Sequence, residues 1–365
     1  MLASCDLVFI HSSDELYGAD RMLLELVSAV PDELSVEVWL PTDLPHVDAP
    51  LCAVLTERGT TVRHLDLPIM RRAYRGPRGL AGLLTRQLSL VRELRRRRPR
   101  TVYCTTSASL LAAPVARAIG IGKVIGHIQE IWSESDRRVL SPFAAACHTL
   151  LAISTSAAAP LPARLRDRTV VVPNATPPPE ETVLLAERTG VLRYVVASRW
   201  NGWKGHRTLL AAWERVPHAG HLVVLGGPPA SGDAVDVAEL VARLSRPDTV
   251  TLVGEVVDPA PFLVAADVAV VPSDEAEPFG LVAIEAFARG RPVVGSAAGG
   301  MLDIITPQHD GWLFPPGDVE ALAQVLSGLT REAVNEAGSR ALQTYERRYT
   351  RTAFAARWRK AVQFD

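Results

Sequence analysis

From end to end the chain alternates short runs of Val, Ile and Leu with helix-length segments, and strands apolar on both faces are stable only in a sheet covered on both sides. Strands are expected at Leu7–His11, Val36–Leu40, Val62–Leu67, Thr101–Cys104, Lys123–Ile128, Leu150–Ser154 and Val170–Val172. The rhythm then breaks at Pro177, Pro178 and Pro179, three residues that cannot donate to a sheet ladder and favour an extended linker. It resumes at Tyr194–Ala197, Leu222–Leu225, Val250–Val253, Val268–Val271 and Pro292–Val294, and an amphipathic helix near 350–363 closes the chain. At 365 residues the chain exceeds one ordinary core and suits two domains. The expected fold class is α/β: two Rossmann-like domains, 1–175 and 176–345, with parallel sheets facing across a central cleft, and a terminal segment, 346–365, packing back toward the first domain. In such sheets the ligand site lies beyond the carboxyl ends of the strands.

Composition excludes little but is consistent. Apolar residues make up 48% and charged residues 22%, with a net charge of -1, which argues against a chain built as a whole for nucleic acid. Cys5, Cys52, Cys104 and Cys147 lack metal-ligand spacing, and read as core thiols of a reducing compartment. No apolar run reaches the ~18 residues that cross a bilayer, and the first strand begins close to Met1. The expected location is therefore cytoplasmic.

The chemistry concentrates at predicted strand ends. In Glu277-Pro278-Phe279-Gly280-Leu281-Val282-Ala283-Ile284-Glu285, two carboxylates flank a Gly-Leu that opens a helix predicted over 281–289. Carboxylates so placed suit hydroxyl groups, and free N–H groups at a helix start suit phosphate. Earlier, Ser198-Arg199-Trp200-Asn201-Gly202-Trp203-Lys204-Gly205-His206 follows a strand and precedes a helix. The planar fork of Arg199 and the point charge of Lys204 suit a diphosphate that gains charge as it departs. Gly226 and Gly227 end the next strand, Gly254-Glu255-Val256 the one after, and Gly299-Gly300 follows the last; each is a turn or a place of close approach. In the first half, Gly18 stands near the start of a helix, and His127 ends the fifth strand.

Between 71 and 100 there are eleven arginines against Glu93 alone, eleven less one, or +10, with Leu at helical spacing from Leu80 to Leu94. This is either a solvated helix or a basic amphipathic segment for an anionic membrane surface. It lacks the interleaved aromatics of a nucleic-acid site.

The segment E-P-F-G-L-x-x-x-E-A resembles the Glu-x7-Glu signature of the retaining glycosyltransferases of family 4, the group 1 glycosyl transferases of GT-B fold. The Arg199/Lys204 loop resembles the S/G-R-x(n)-K-G loop of the same family. Leu16-Tyr17-Gly18-Ala19-Asp20-Arg21 resembles its glycine-rich entry, with Tyr17 replacing one glycine, while Val172-Pro173-Asn174-Ala175 lacks the Gly and Asp of its P-N-G-V-D hinge. The resemblance implies an acceptor-binding first domain and a donor-binding second domain, and a hexose moved from a UDP- or GDP-sugar to an acceptor hydroxyl with retention. The acceptor would be a glycan, a lipid-linked group or a small molecule, as in polysaccharide or glycosylated natural-product synthesis. It further implies that Arg199 and Lys204 stabilise the leaving diphosphate, Glu277 holds sugar hydroxyls and Glu285 ribose hydroxyls. Phe279, Gly280 and Leu281 would lend backbone N–H groups, Gly18, Gly226, Gly227, Glu255 and Val256 would line the donor, and His127 would orient the sugar or acceptor.

Gly120-Ile121-Gly122-Lys123-Val124-Ile125-Gly126 has the wrong spacing for a dinucleotide fingerprint and precedes a strand instead of following one. No two aspartates stand two apart, so no D-x-D clamp exists, and the expected reaction uses no metal and no cofactor beyond the nucleotide sugar. Two other classes fit the same motifs: a GT-B sugar-nucleotide epimerase and a non-catalytic nucleotide-sugar binder.

Overall fold

The structure is a computed structural model that describes residues 5–43, 49–71, 74, 77–181, 183–216, 220–229 and 233–364. The chain divides into two compact units, residues 1–174 with 354–365, and residues 175–353. Each is built on one wholly parallel sheet.

The first unit carries β1 (Leu7–Ile10), β2 (Val36–Pro41), β3 (Thr61–Leu65), β4 (Thr101–Cys104), β5 (Lys123–Ile128), β6 (Thr149–Ala152) and β7 (Thr169–Val171), in the order β3-β2-β1-β4-β5-β6-β7. β1 and β4 are entirely buried, as their unbroken apolar spelling demands. The helix Arg351–Val362 contributes its far end to this unit. There Trp358 is fully buried and donates from Nε1 to the Tyr103 hydroxyl at 3.1 Å, in a core shared with Phe9.

The second unit carries β8 (Arg193–Ala197), β9 (His221–Leu225), β10 (Val250–Gly254), β11 (Val268–Val271), β12 (Val293–Ser296) and β13 (Gly311–Phe314), in the order β10-β9-β8-β11-β12-β13. Tyr194 and Trp213 meet edge to face at 5.3 Å within an aliphatic core. β13, spelled Gly-Trp-Leu-Phe, is one strand more than the sequence predicts. Its first residue is the Gly of an Asp-Gly step that reads as a turn, and pairing with β12 makes it a strand.

In both sheets the chain reverses direction of winding at one place, between β1 and β4 and between β8 and β11. Loops diverge there and leave a crevice at the carboxyl ends. Among the described residues no helix is long and apolar enough to cross a membrane.

Candidate functional site

The second sheet's reversal point is where the sequence-predicted groups meet. The loop after β8 carries Arg199, partly buried, and reaches Lys204 in a short 3-10 turn. The loop after β11 carries Ser273, Asp274 and Glu277. Lys204 Nζ pairs with Glu277 Oε1, and the Ser273 hydroxyl donates to the same oxygen at 2.8 Å. Glu277 is 7% exposed, so its ion pair lies largely out of water, where a charge-assisted bond is strong. The Lys204 ammonium also lies 4.1 Å from the centre of the Trp203 ring. Two further bonds lock the loops together: Asp274 N donates to Trp203 O at 2.8 Å, and Thr208 Oγ1 to Asp274 Oδ1 at 2.7 Å.

Neighbouring strand ends join the same rim. Trp200 N donates to Gly227 O, and Gly226 N to Gly254 O, each at 2.8 Å, linking the ends of β8, β9 and β10. Gly226 has φ +112°, and a Cβ there would stand 2.0 Å from Ser198 O, so this turn admits glycine alone. Glu255 is exposed and Val256 half-buried just beyond β10. The helix Leu281–Ala288 starts after Gly280, whose φ is +102°, and Leu281 and Val282 have no intrahelical acceptor for their N–H groups. Glu285 is half-buried on its second turn. Phe279 is 3% exposed with its ring edge-on to Tyr349, so it can offer a ligand only its backbone.

Gly299 and Gly300 make room for the chain itself. A Cβ on Gly299 would meet Glu277 O at 2.1 Å, and one on Gly300 the Phe279 Cα at 2.5 Å; Gly300 N donates to Glu277 O at 2.7 Å. The close approach is that of the chain to its own Glu277 segment, which the glycine pair supports from behind.

The two predicted residues of the first unit fare differently. Gly18 is exposed as the first residue of the helix Gly18–Ala29. His127 is fully buried in β5, with Nδ1 3.0 Å from the Tyr103 hydroxyl and the rings edge to face; burial pushes its pKa to about 3. Here the imidazole is enclosed beside Tyr103 and held neutral.

Sequence reasoning passed over the polar groups at the first sheet's reversal point. His11, at the end of β1, is fully buried and lies 2.6 Å from Thr105 Oγ1 beyond β4 and 3.0 Å from Asp20 Oδ1. Asp20 also accepts from Ser13 Oγ at 2.7 Å and from Tyr17 N at 3.0 Å. Burial works to raise the Asp20 carboxyl, but His11, Ser13 and the Tyr17 N–H outweigh it and hold it below the usual range. A histidine ending a strand with an aspartate nine residues on was the available signal. For Ser273 the signal was its place four residues before Glu277.

The arginine run is less charged in place than in sequence. Arg71 and Arg86 pair with Asp43, Arg86 also with Asp66, Arg96 with Glu93, Arg97 with Glu37 and Arg100 with Asp6. Arg72 and Arg75, and the side chain of Arg78, lie outside the described residues.

Similarity to known proteins follows the same geography. Residues 192–332 match the family model described as glycosyl transferases group 1. A D-inositol 3-phosphate glycosyltransferase of Xylanimonas cellulosilytica is 39% identical over 145 residues, 38% of this chain and 34% of that one. The sulfoquinovosyl transferase SQD2 of Arabidopsis thaliana is 33% identical over 157 residues, 41% of this chain and 29% of that one. These matches span about a third of each relative's length. Anabaena HepE, solved in complex with UDP and glucose, superposes with a TM-score of 0.80 at 19% identity, covering 99% of this chain and 100% of that one. The protein thus has the GT-B fold, and its residues 192–332 are similar to the glycosyl transferases of group 1.

Proposed function

We propose that the protein is a retaining glycosyltransferase that moves a hexose from a UDP- or GDP-sugar to an acceptor hydroxyl without a catalytic metal. The observation that carries this reading is the Lys204–Glu277–Ser273 contact at the reversal point between β8 and β11, with Arg199 on the same loop as Lys204. Glu277 is already fixed by two donors on Oε1, which leaves its carboxylate pre-oriented for sugar hydroxyls. Lys204 and Arg199 meet the diphosphate as the bond to the sugar breaks and negative charge grows on the leaving oxygen. The N–H groups that open the helix at Leu281 add fixed partial charge of the same sign. Glu285, one turn further on, holds ribose. In the front-face course the leaving phosphate takes the acceptor proton, so no protein nucleophile is assigned. The UDP and glucose found with Anabaena HepE support a donor of this class.

Arg199→Ala and Glu277→Ala should each reduce transfer by about 100-fold or more while leaving the fold intact. Retention is read from the anomeric configuration of the product by NMR, and metal independence from turnover after EDTA treatment. Free sugar and nucleotide formed without any acceptor would instead mark an epimerase, and donor binding without turnover a binding protein.

A second observation bears on where the enzyme works. The helix Pro77–Arg97 exposes Leu84 (69%) and Leu88 (71%), and the exposed Arg92 and Arg95 follow along it. We propose that this face rests on anionic lipid, apolar side chains down and arginines at the headgroups. Leu84→Ser with Leu88→Ser should abolish co-sedimentation with phosphatidylglycerol vesicles; equal sedimentation of variant and parent would reject the assignment.

A further inference from the structure

Asp14, Cys52 and His64 come together in the first unit, from the loop after β1, the helix Pro50–Glu57 and β3, far from one another in sequence. One ligand atom from each lies within 4.8 Å of the other two. Asp14 is fully buried at its side chain; its Oδ1 accepts from Cys52 N at 2.9 Å, and its Oδ2 lies 2.9 Å from His64 Nε2. From this arrangement we propose a structural zinc site formed by the Asp14 carboxylate, the Cys52 thiolate and the His64 imidazole, with water completing the coordination.

The donor set selects the metal. Thiolate and imidazole together favour zinc over magnesium or calcium, which take oxygen ligands. Carboxylate and thiolate bring two negative charges, which a divalent cation neutralises in a partly buried place. Ligand atoms around tetrahedral zinc stand about 3.2–3.8 Å apart, from bonds of about 2.0–2.3 Å. The present separations therefore close by side-chain movements of about 1 Å. Binding displaces the thiol proton of Cys52 and replaces the Asp14–His64 hydrogen bond, so affinity falls on acidification. Cys5, Cys104 and Cys147 do not compete, because burial pushes each thiol up, Cys147 to about 12. The cation gives the site a mechanical role: among the described residues β3 is an edge strand that pairs with β2 alone, and the ion ties it to the β1 loop and to the helix at Pro50. The proposal does not depend on the function of the second unit's groups.

Cobalt(II) titration of the untagged full chain tests the proposal. A thiolate-to-cobalt charge-transfer band should saturate at one equivalent, be bleached by zinc, and resist magnesium. Cys52→Ser should remove the band, and His64→Ala should weaken zinc binding at least about tenfold, given that even outer partners of metal ligands are worth 10–100-fold. Zinc should also raise the melting temperature of the parent chain but not of Cys52→Ser. Both positions are partly exposed, so the variants keep the fold, which circular dichroism checks. No charge-transfer band in the parent, or zinc affinity unchanged in His64→Ala, would overturn the site and leave Asp14 as a cap for the helix at Pro50.

Discussion

Ser273 shows how much one small side chain can decide. It is buried, and its hydroxyl and Lys204 converge on a single oxygen of Glu277. A hydrogen bond to a charged group is worth about 1.5–3 kcal/mol, or roughly 10- to 100-fold in an equilibrium or a rate. Ser273→Ala should lower kcat/KM by about that factor, and Ser273→Thr should restore most of it. An unchanged kcat/KM in the alanine variant would show that Lys204 alone positions the carboxylate. Gly226 is decisive for a different reason, since its left-handed backbone and the 2.0 Å approach to Ser198 O both exclude a side chain. Gly226→Ala should cost at least about 1–2 kcal/mol of stability by urea unfolding, from the backbone conformation alone.

At the scale of elements, the second unit depends on a helix end that two arginines finish. Arg188 and Arg291 both donate to carbonyls of Val264 and Ala266, at the end of the helix Ala260–Ala265, and Arg188 also to Ala265 O. Arg291 reaches back to Val183 O as well, fastening the segment that precedes β8. It is fully buried, and burial together with Arg188 lowers its pKa to about 10, still charged at neutral pH. Arg291→Leu strands several buried carbonyls, each worth about 1–3 kcal/mol. Stability should fall by roughly 3 kcal/mol or more, with Arg291→Lys recovering only part, because an ammonium cannot span the same fork. A loss under 1 kcal/mol in the leucine variant would contradict this role. Most strands were readable because their apolar runs are continuous and bounded by turn residues. β13 was not, since four residues that begin on the Gly of an Asp-Gly step carry no period, and its strand character comes from β12 beside it. The burial of His127 was not legible for a related reason. A strand end in sequence does not say which face a side chain takes, and here Tyr103 packs edge to face on the imidazole.

For the whole molecule, two buried histidines set a pH dependence. Burial lowers His127 from 6.5 to about 3 and His206 from 6.5 to about 4, the latter aided by the charge of Lys204. The unfolded chain therefore binds more protons than the folded one below about pH 6.5. Stability is fully present above that pH and declines as the pH falls toward 4 and then 3, each histidine contributing about 1.4 kcal/mol per pH unit. By pH 5 the pair should remove roughly 4 kcal/mol. His127→Gln should halve the slope of melting temperature against pH between 6.5 and 5, and an unaltered slope would place the titration elsewhere.

By itself the sequence determined the architecture and marked the candidate site, because both are written in local terms. Runs of apolar residues specify covered parallel strands, three prolines specify a break, and Arg199, Lys204, Glu277 and Glu285 are chemically legible beside strand ends and glycines. Only the tertiary structure decided which groups stand together. It brought Ser273 and Lys204 to one oxygen of Glu277, set Gly299 and Gly300 behind that residue, and enclosed His127. It also paired the arginines of 71–100 with acids from other strands and loops, and joined Asp14, Cys52 and His64 across fifty residues. The physical reason is common to all of these: spacing along a chain fixes the face and end of an element, while hydrogen bonds and burial depend on the neighbour that packing supplies.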